Sequence, residues 1–444
     1  MNTNPEFRRN LWLELSQSRL VAMPLILAAV FYLAYVNEDY TLGKGVVSTA
    51  VGLYFVLVLI WGTKQAAETV MNEIRDHTWD GQRMSSLTAW ELTLGKLFGS
   101  TIYSWYGGVC VLAVYGLAAA ASEPGQALKR MLALLLAGIL AHSISLLASL
   151  MALQKERRYN RNQTALLLFF GLFSAGPFFG LIFNKTSSLS WYGTSYVTLD
   201  LLLLSLLAFT FWGIIGVNRL MRLELQMKSL PWIWYGFVLF VMIFMAGFFT
   251  GQADVNAQGL AMATPPLLTA YFVALGMIYA MAFVERKEFL PLQSFLRLAV
   301  SGDRQRTLER APRWLLTLPV AVLMGMIVVG TARTGIFGAT GSLLGFVVAQ
   351  LCFLGRDLGI ILFFSLGKDN KRADILTIIS LGLLYGVFPA TLTIMQMNDV
   401  TLLFWPRTDL APLFGGLAAL LEMLLMAWLV SVRWRARVAE GQRG

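Results

Sequence analysis

Twelve apolar runs, each bounded by charge, divide the chain at 20–36, 45–63, 97–121, 131–154, 164–183, 198–217, 232–250, 265–284, 314–331, 342–367, 374–396 and 411–432. No other feature restricts the fold so tightly. About 20 apolar residues are what a helix needs to cross the hydrocarbon of a bilayer. Inside hydrocarbon the backbone must satisfy its own hydrogen bonds, which leaves helices or closed barrels. Of the 444 residues, 57% are hydrophobic and 14% charged, against roughly 45–50% and 25% in a soluble chain. The expected fold is an all-α polytopic membrane protein with about 12 transmembrane helices. Little chain remains for a soluble catalytic domain.

The net charge of +10 follows from topology. With the N-terminus inside, the cytoplasmic segments hold 28 of the 35 Lys and Arg, Arg157 and Arg158 among them. The outer loops hold six, Lys44, Lys129, Arg130, Lys185, Arg333 and Arg407, and Arg356 lies within a span. This is the positive-inside bias. Both termini are expected in the cytoplasm, and no nucleic-acid partner need be invoked. Cys110 and Cys352 both fall in apolar runs, so no disulfide framework is indicated, and no Cys/His spacing suits a metal. Ahead of the first span, Phe7, Leu11 and Leu15 share one helical face with Trp12 beside them, opposite Arg8, Arg9, Asn10 and Glu14. That pattern predicts an interfacial helix over 5–17.

The chain reads as two fused six-span halves, 1–229 and 230–444. Each has one long cytoplasmic loop after its second span, at 64–96 and 285–313. Trp90-Glu91-Leu92-Thr93-Leu94 opens the third span of one half and Trp314-Leu315-Leu316-Thr317-Leu318 that of the other. An offset of 212 to 214 then pairs His142 with Arg356, Lys155 with Lys368, Pro177 with Pro389, Trp191 with Trp405 and Arg219 with Arg433. Six spans per half leave the halves in one orientation, a parallel repeat about the membrane normal.

The first long loop is the most informative segment. Thr88-x-x-Glu91 is a capping box and predicts a helix from Ala89 into the third span. Glu73, Asp76 and Asp80, at i, i+3 and i+7, would share one face of a short helix that Gly81 could end. This is the least basic cytoplasmic loop, and its acidity points to a partner surface. With Glu73, Thr78-Trp79-Asp80, Ser86-Leu87-Thr88, Trp90-Glu91 and Gly95-Lys96, the stretch resembles the type-2 ABC exporter permeases. His77 replaces the usual Gly of that family and Ser86 the usual Pro. The six-span halves, the N-terminal helix and the Pro-broken outer segment (Gly176-Pro177, then 184–197) also match. The motif resemblance covers about residues 5–230; the second half matches by layout alone, its loop around Gly302-Asp303-Arg304 having lost most of the motif.

What the resemblance implies is the membrane subunit of an exporter in the cell (inner) membrane, driven by ATP and Mg bound to a separate nucleotide-binding subunit, with two copies of that partner. Coupling to it would fall to Glu73, Asp76, Thr78, Trp79, Asp80, Arg83, Trp90 and Glu91, and in the second half to Asp303, Arg304 and Arg306. The chain itself carries no phosphate-binding loop: Gly43-Lys44, Gly95-Lys96 and Gly367-Lys368 lack both the earlier Gly and the following Ser or Thr. It is therefore expected to bind no cofactor and to be no enzyme.

His142, Arg356, Asp357 and Glu422 are polar or ionisable within spans. Such groups are costly in hydrocarbon and face a cavity or one another. One reading lines them along a substrate path, another makes them packing pairs such as Arg356–Asp357 or Arg356–Glu422. A transporter driven by an ion gradient, with Asp357 or Glu422 as its coupling site, is the alternative to an ATP-driven one. Gly95-x3-Gly99 and Gly176-x3-Gly180 read as close-packing sites. Trp12, Trp61, Trp105, Trp191, Trp232 and Trp405 read as interface anchors. No nucleophile, triad or carboxylate pair suggests chemistry.

Overall fold

A computed structural model describes residues 4–122, 124–155, 161–183, 188–228, 231–249, 265–285, 287–331, 339–367, 372–406 and 412–441. Arg157, Arg158, Lys185, Arg333, Lys368 and Arg407 lie outside the described residues. Among those described, eleven helices are long and apolar enough to cross a membrane. The chain is a multi-pass helical membrane protein. The run expected at 164–183 coincides with the helix Arg161–Ile182, whose apolar stretch, Leu167–Ile182, falls short of that length. One two-stranded hairpin, Ser188–Trp191 with Thr194–Val197, interrupts the all-helical pattern.

The helices track the hydropathy closely because each satisfies its own backbone. The exceptions are local. Pro177 does not break the chain as expected but lies inside the Arg161–Ile182 helix. Prolines are tolerated there because neighbours can satisfy the freed carbonyl. Pro389 likewise lies inside a continuous helical span, Ala373–Ile394, two residues after the π-helical turn Leu383–Val387. A second wide turn, Phe55–Gly62, joins Lys44–Tyr54 to Thr63–Arg75, and a third, Gly95–Gly99, follows Ala89–Leu94.

The chain divides into two compact units, Met1–Leu189 with Ser195–Ser229, and Ser190–Thr194 with Leu230–Gly444. The main core of the first gathers Met23, Tyr54, Val58, Tyr115, Leu134 and Leu206 from five of its long helices. That of the second gathers Trp234, Tyr271, Ile278, Phe346 and Leu354. In the second unit the Trp191 indole donates to the Phe244 carbonyl at 3.0 Å. Trp105 of the first unit packs edge-on against His142, 5.2 Å between centroids.

Candidate functional site

The first long loop is built on the helix Thr63–Arg75, and the chain there folds differently from the sequence expectation. That helix stops at Arg75. His77 adopts φ 56, in the left-handed region that favours glycine. The His77 amide donates to the Ile74 carbonyl and the Thr78 amide to the Glu73 carbonyl at 2.9 Å, a Schellman closure. A separate short helix, Trp79–Arg83, follows, with Gly81 inside it rather than at its end. Glu73, Asp76 and Asp80 therefore do not share a face. Trp79 is the cause: it is buried with Val70, Leu92, Leu97 and Leu146, and it draws the chain back against the helix ends. The capping box forms as expected, with Thr88 Oγ1 accepting from the Glu91 amide and Glu91 accepting from the Thr88 amide at 2.8 Å. The Thr88 amide and hydroxyl, both donating to the carboxylate at 2.8 Å, hold the Glu91 carboxyl below the usual carboxylate range.

Glu73 turns inward. Lys96, fully buried, donates to Glu6 at 3.2 Å and to Glu73, and its ammonium lies 5.2 Å from the centre of the Trp79 ring. Arg9 donates to Glu6 at 3.1 Å and to Glu73 at 2.6 Å, and Gln82 donates to Glu73 at 2.6 Å. Two cations face two carboxylates, so the cluster is neutral, which is the condition for holding charges out of water. It ties four pieces together: the N-terminal helix Pro5–Glu14, Thr63–Arg75, Trp79–Arg83 and the turn Gly95–Gly99.

The N-terminal helix sits against this site with a polar face inward. Glu6 is buried and Asn10 partly so, whereas Trp12 and Leu13 are exposed. Asn10 donates to the Glu6 backbone carbonyl at 3.0 Å, and Asn4 caps the helix while donating to the Glu91 carbonyl at 2.7 Å. Gly95 and Gly99 make this approach possible, since a Cβ on either would come within 3.0 Å of Glu6 or Asn10. Gly176 and Gly180, by contrast, have nothing within 4 Å and pack nothing closely. Arg83 donates at 3.0 Å to the carbonyl of Glu224, the last residue of Thr198–Glu224, as a cation at a helix C-terminus. What remains outward is a short polar and apolar surface: Asp76, Thr78, Asp80, Met84 and Trp90 are exposed, with the half-buried Glu91 beside them.

The second loop is made otherwise. Its helices Phe289–Ser301 and Arg304–Arg310 contain no buried residue. Asp303 caps the second of them and pairs with Arg306 at 3.3 Å, and Arg304 is exposed. The loop is fastened at its base and first turn: Arg313 and Glu285 pair at 2.7 Å, the buried Lys287 pairs with Asp374 at 3.7 Å, and the Phe289 ring packs on Trp434, 4.7 Å between centroids.

The intramembrane residues fall into two sets. Arg356, Asp357 and Glu422 form one network in the second unit. Arg356 Nε donates to Asp357 Oδ1 at 2.9 Å and its Nη1 to Glu422 Oε2 at 2.7 Å. Tyr279 and Tyr385 both donate to Asp357 Oδ2, at 2.7 and 2.6 Å. Neither tyrosine is conspicuous in sequence, where each is one aromatic among many. His142 belongs to the first unit, and its Nε2 donates to the Val58 carbonyl at 2.8 Å, within the wide turn Phe55–Gly62. Gly62 makes room for it: a Cβ there would lie 2.5 Å from both His142 Nε2 and Ser104 Oγ.

Among the described residues, no group of three or more His, Cys, Asp or Glu could hold a metal ion. The chain matches no protein-family model, and no curated protein is significantly similar to it.

Proposed function

We propose that this chain is the membrane-spanning permease subunit of an ATP-driven exporter of the type-2 ABC kind, with ATP hydrolysed by a separate subunit docked on the first loop. One observation carries the reading: exposed residues Asp76, Asp80, Met84 and Trp90 stand on a base fixed by the buried Lys96 cluster. A surface that only needed to be soluble would require no such base. Force applied to Trp79–Arg83 passes through Gln82 to Glu73 and Lys96, and through Arg83 to the end of Thr198–Glu224. Three long helices thereby receive it without a flexible link. The second loop, whose helices Phe289–Ser301 and Arg304–Arg310 contain no buried residue, would couple less strongly.

The competing reading, coupling to an ion gradient at Asp357 or Glu422, has no metal-cation site to support it among the described residues. Both Asp357 oxygens and one Glu422 oxygen already accept hydrogen bonds, whereas a hard cation takes about six or more oxygen ligands.

The test uses residues outside the buried cluster. Asp76→Lys with Asp80→Lys, and separately Trp90→Ala, should abolish co-purification of an ATPase subunit while leaving stability within about 0.5 kcal/mol, as for exposed positions generally. Undiminished co-purification, or substrate flux by the purified chain without any ATPase, would sink the reading. Glu73 is unsuitable for this purpose, because reversing it also breaks the Lys96 pairing.

A further inference from the structure

Charge inside the second unit is not balanced. Arg356, 3% exposed, meets two carboxylates, Asp357 and Glu422, so the network carries one net negative charge when all three are ionised. The neutral Lys96 cluster of the first unit makes the contrast plain. Asp357 is saturated by Arg356, Tyr279 and Tyr385. Two valences are left over. Arg356 Nη2 is buried and has no hydrogen-bond partner among the described residues. Glu422 gives one oxygen to Arg356, while Oε1 has no partner among the described residues and the side chain is 29% exposed.

A buried guanidinium nitrogen without an acceptor is rare and calls for a reason. Here the unmet donor and the unmet anion belong to one network, linked through the Arg356–Glu422 bond. A ligand that met both would present an oxygen acceptor to Arg356 and a cation to Glu422. Its remainder must suit apolar surroundings: Leu421 and Leu425, which flank Glu422 on the same helix, are both largely exposed, as are Leu383 and Val387 beside Tyr385. In a membrane-spanning helix such faces meet acyl chains rather than water. We infer that the Arg356–Asp357–Glu422 network is the binding site for a cationic amphiphile, a long apolar body ending in a protonated amine with a neutral oxygen acceptor beside it. The amine pairs with Glu422 and restores neutrality, and the oxygen accepts from Arg356 Nη2. Tyr279 and Tyr385 hold Asp357 so that Arg356 keeps its orientation, and the Phe353 and Tyr385 rings, 4.6 and 5.1 Å from the guanidinium carbon, fix its plane. As a cargo assignment this rests on the transport reading above, but binding itself needs neither ATP nor a partner.

The experiment reads binding alone, on the full chain in nanodiscs. A C12 amino alcohol carrying a diazirine is photolysed with the protein, and adducts are mapped by mass spectrometry. The adducts should concentrate on the peptides bearing Glu422 and Tyr385. Unlabelled dodecyl amino alcohol should compete at least tenfold better than dodecanol or dodecyl phosphate, and Glu422→Gln should cut labelling about tenfold. Equal competition by dodecanol on the unaltered chain would overturn the inference whether or not any variant folds. Unchanged labelling in a folded Glu422→Gln protein would do the same, and would leave Arg356–Glu422 as a helix-packing pair. Neither result bears on ATPase docking, and loss of ATPase co-purification would not alter the labelling.

Discussion

The two long loops are held differently, the first by one converging cluster of charges and the second by separate pairs. In the first, a buried lysine and its carboxylates fasten three pieces of the loop to one another and to the helix Pro5–Glu14. In the second, Phe289–Ser301 and Arg304–Arg310 contain no buried residue, and two separate ion pairs, Arg313–Glu285 and Lys287–Asp374, hold the base. The difference follows from what lies beside each. The first half has Pro5–Glu14 to bring Glu6 and Arg9 to Lys96. No corresponding helix precedes the span at Trp232 among the described residues, and the position of Glu91 is taken by Leu315. Charge can be buried at the loop only where enough partners converge to neutralise it.

Removing one partner should expose that contrast most sharply. Lys96→Met leaves Glu6 and Glu73 short of a buried cation and is expected to cost about 3–5 kcal/mol. Arg313→Met, at the largely buried pair of the second loop, leaves Glu285 the Arg313 amide as a partner and should cost less, about 1–3 kcal/mol. Thermal unfolding of the two variants in detergent would show whether the order holds. Comparable losses would mean that the second loop is anchored as firmly as the first.

Packing density offers the next comparison. Gly62→Ala places a methyl against His142 and Ser104 and should cost about 1–3 kcal/mol, as overpacking does. Gly276, on Pro265–Val284 of the second unit, has nothing within 4 Å. Its replacement by Ala should therefore be neutral or stabilise by about 0.4–1 kcal/mol. A stable Gly62→Ala protein would contradict the His142–Val58 geometry.

Backbone at the loops differs as well. The left-handed residue is His77 in the first loop, at φ 56, and Gly302 in the second, at φ 81. His77→Gly relieves a conformation costly for any residue with a Cβ and should raise the unfolding midpoint, by up to about 1 kcal/mol in stability. A fall in the midpoint would show that the imidazole has a role of its own.

The smallest effect is one of pH. Glu91 is held below its ordinary pKa of 4.5 by the Thr88 hydrogen bonds. A group with a depressed folded pKa contributes stability that is present above the unfolded value and lost as pH falls through the folded one. Glu91→Gln should therefore flatten a shallow decline in stability below pH 4.5. Leu315→Gln, at the start of Arg313–Gly330, should leave the pH profile unchanged. An unaltered acid limb in Glu91→Gln would place that titration elsewhere.

Much of the fold was legible because its signals are local. The twelve apolar runs map onto the helices observed, and Thr88-x-x-Glu91 begins a helix where expected, since hydropathy and capping act within one or two turns. The acidic face of Glu73, Asp76 and Asp80 was not legible. Periodicity alone extended the helix through His77, but the burial of Trp79 overrode it and sent Glu73 inward. The tyrosines of the Arg356 network escaped for the same reason. Tyr279 lies 78 positions from Asp357 and Tyr385 28 positions away, and nothing in either local sequence marks it as a donor.

By itself the sequence determined that this protein is helical, apolar and many times membrane-crossing, because each span answers only to its own composition. Only the tertiary structure decided which charges are neutralised and which are not. Lys96 finds its carboxylates 90 and 23 residues away, and Arg356 one of its own 66 residues away. A buried ion takes whatever partners three-dimensional packing brings within about 3 Å, and that proximity is not encoded in any stretch short enough to be read along the chain.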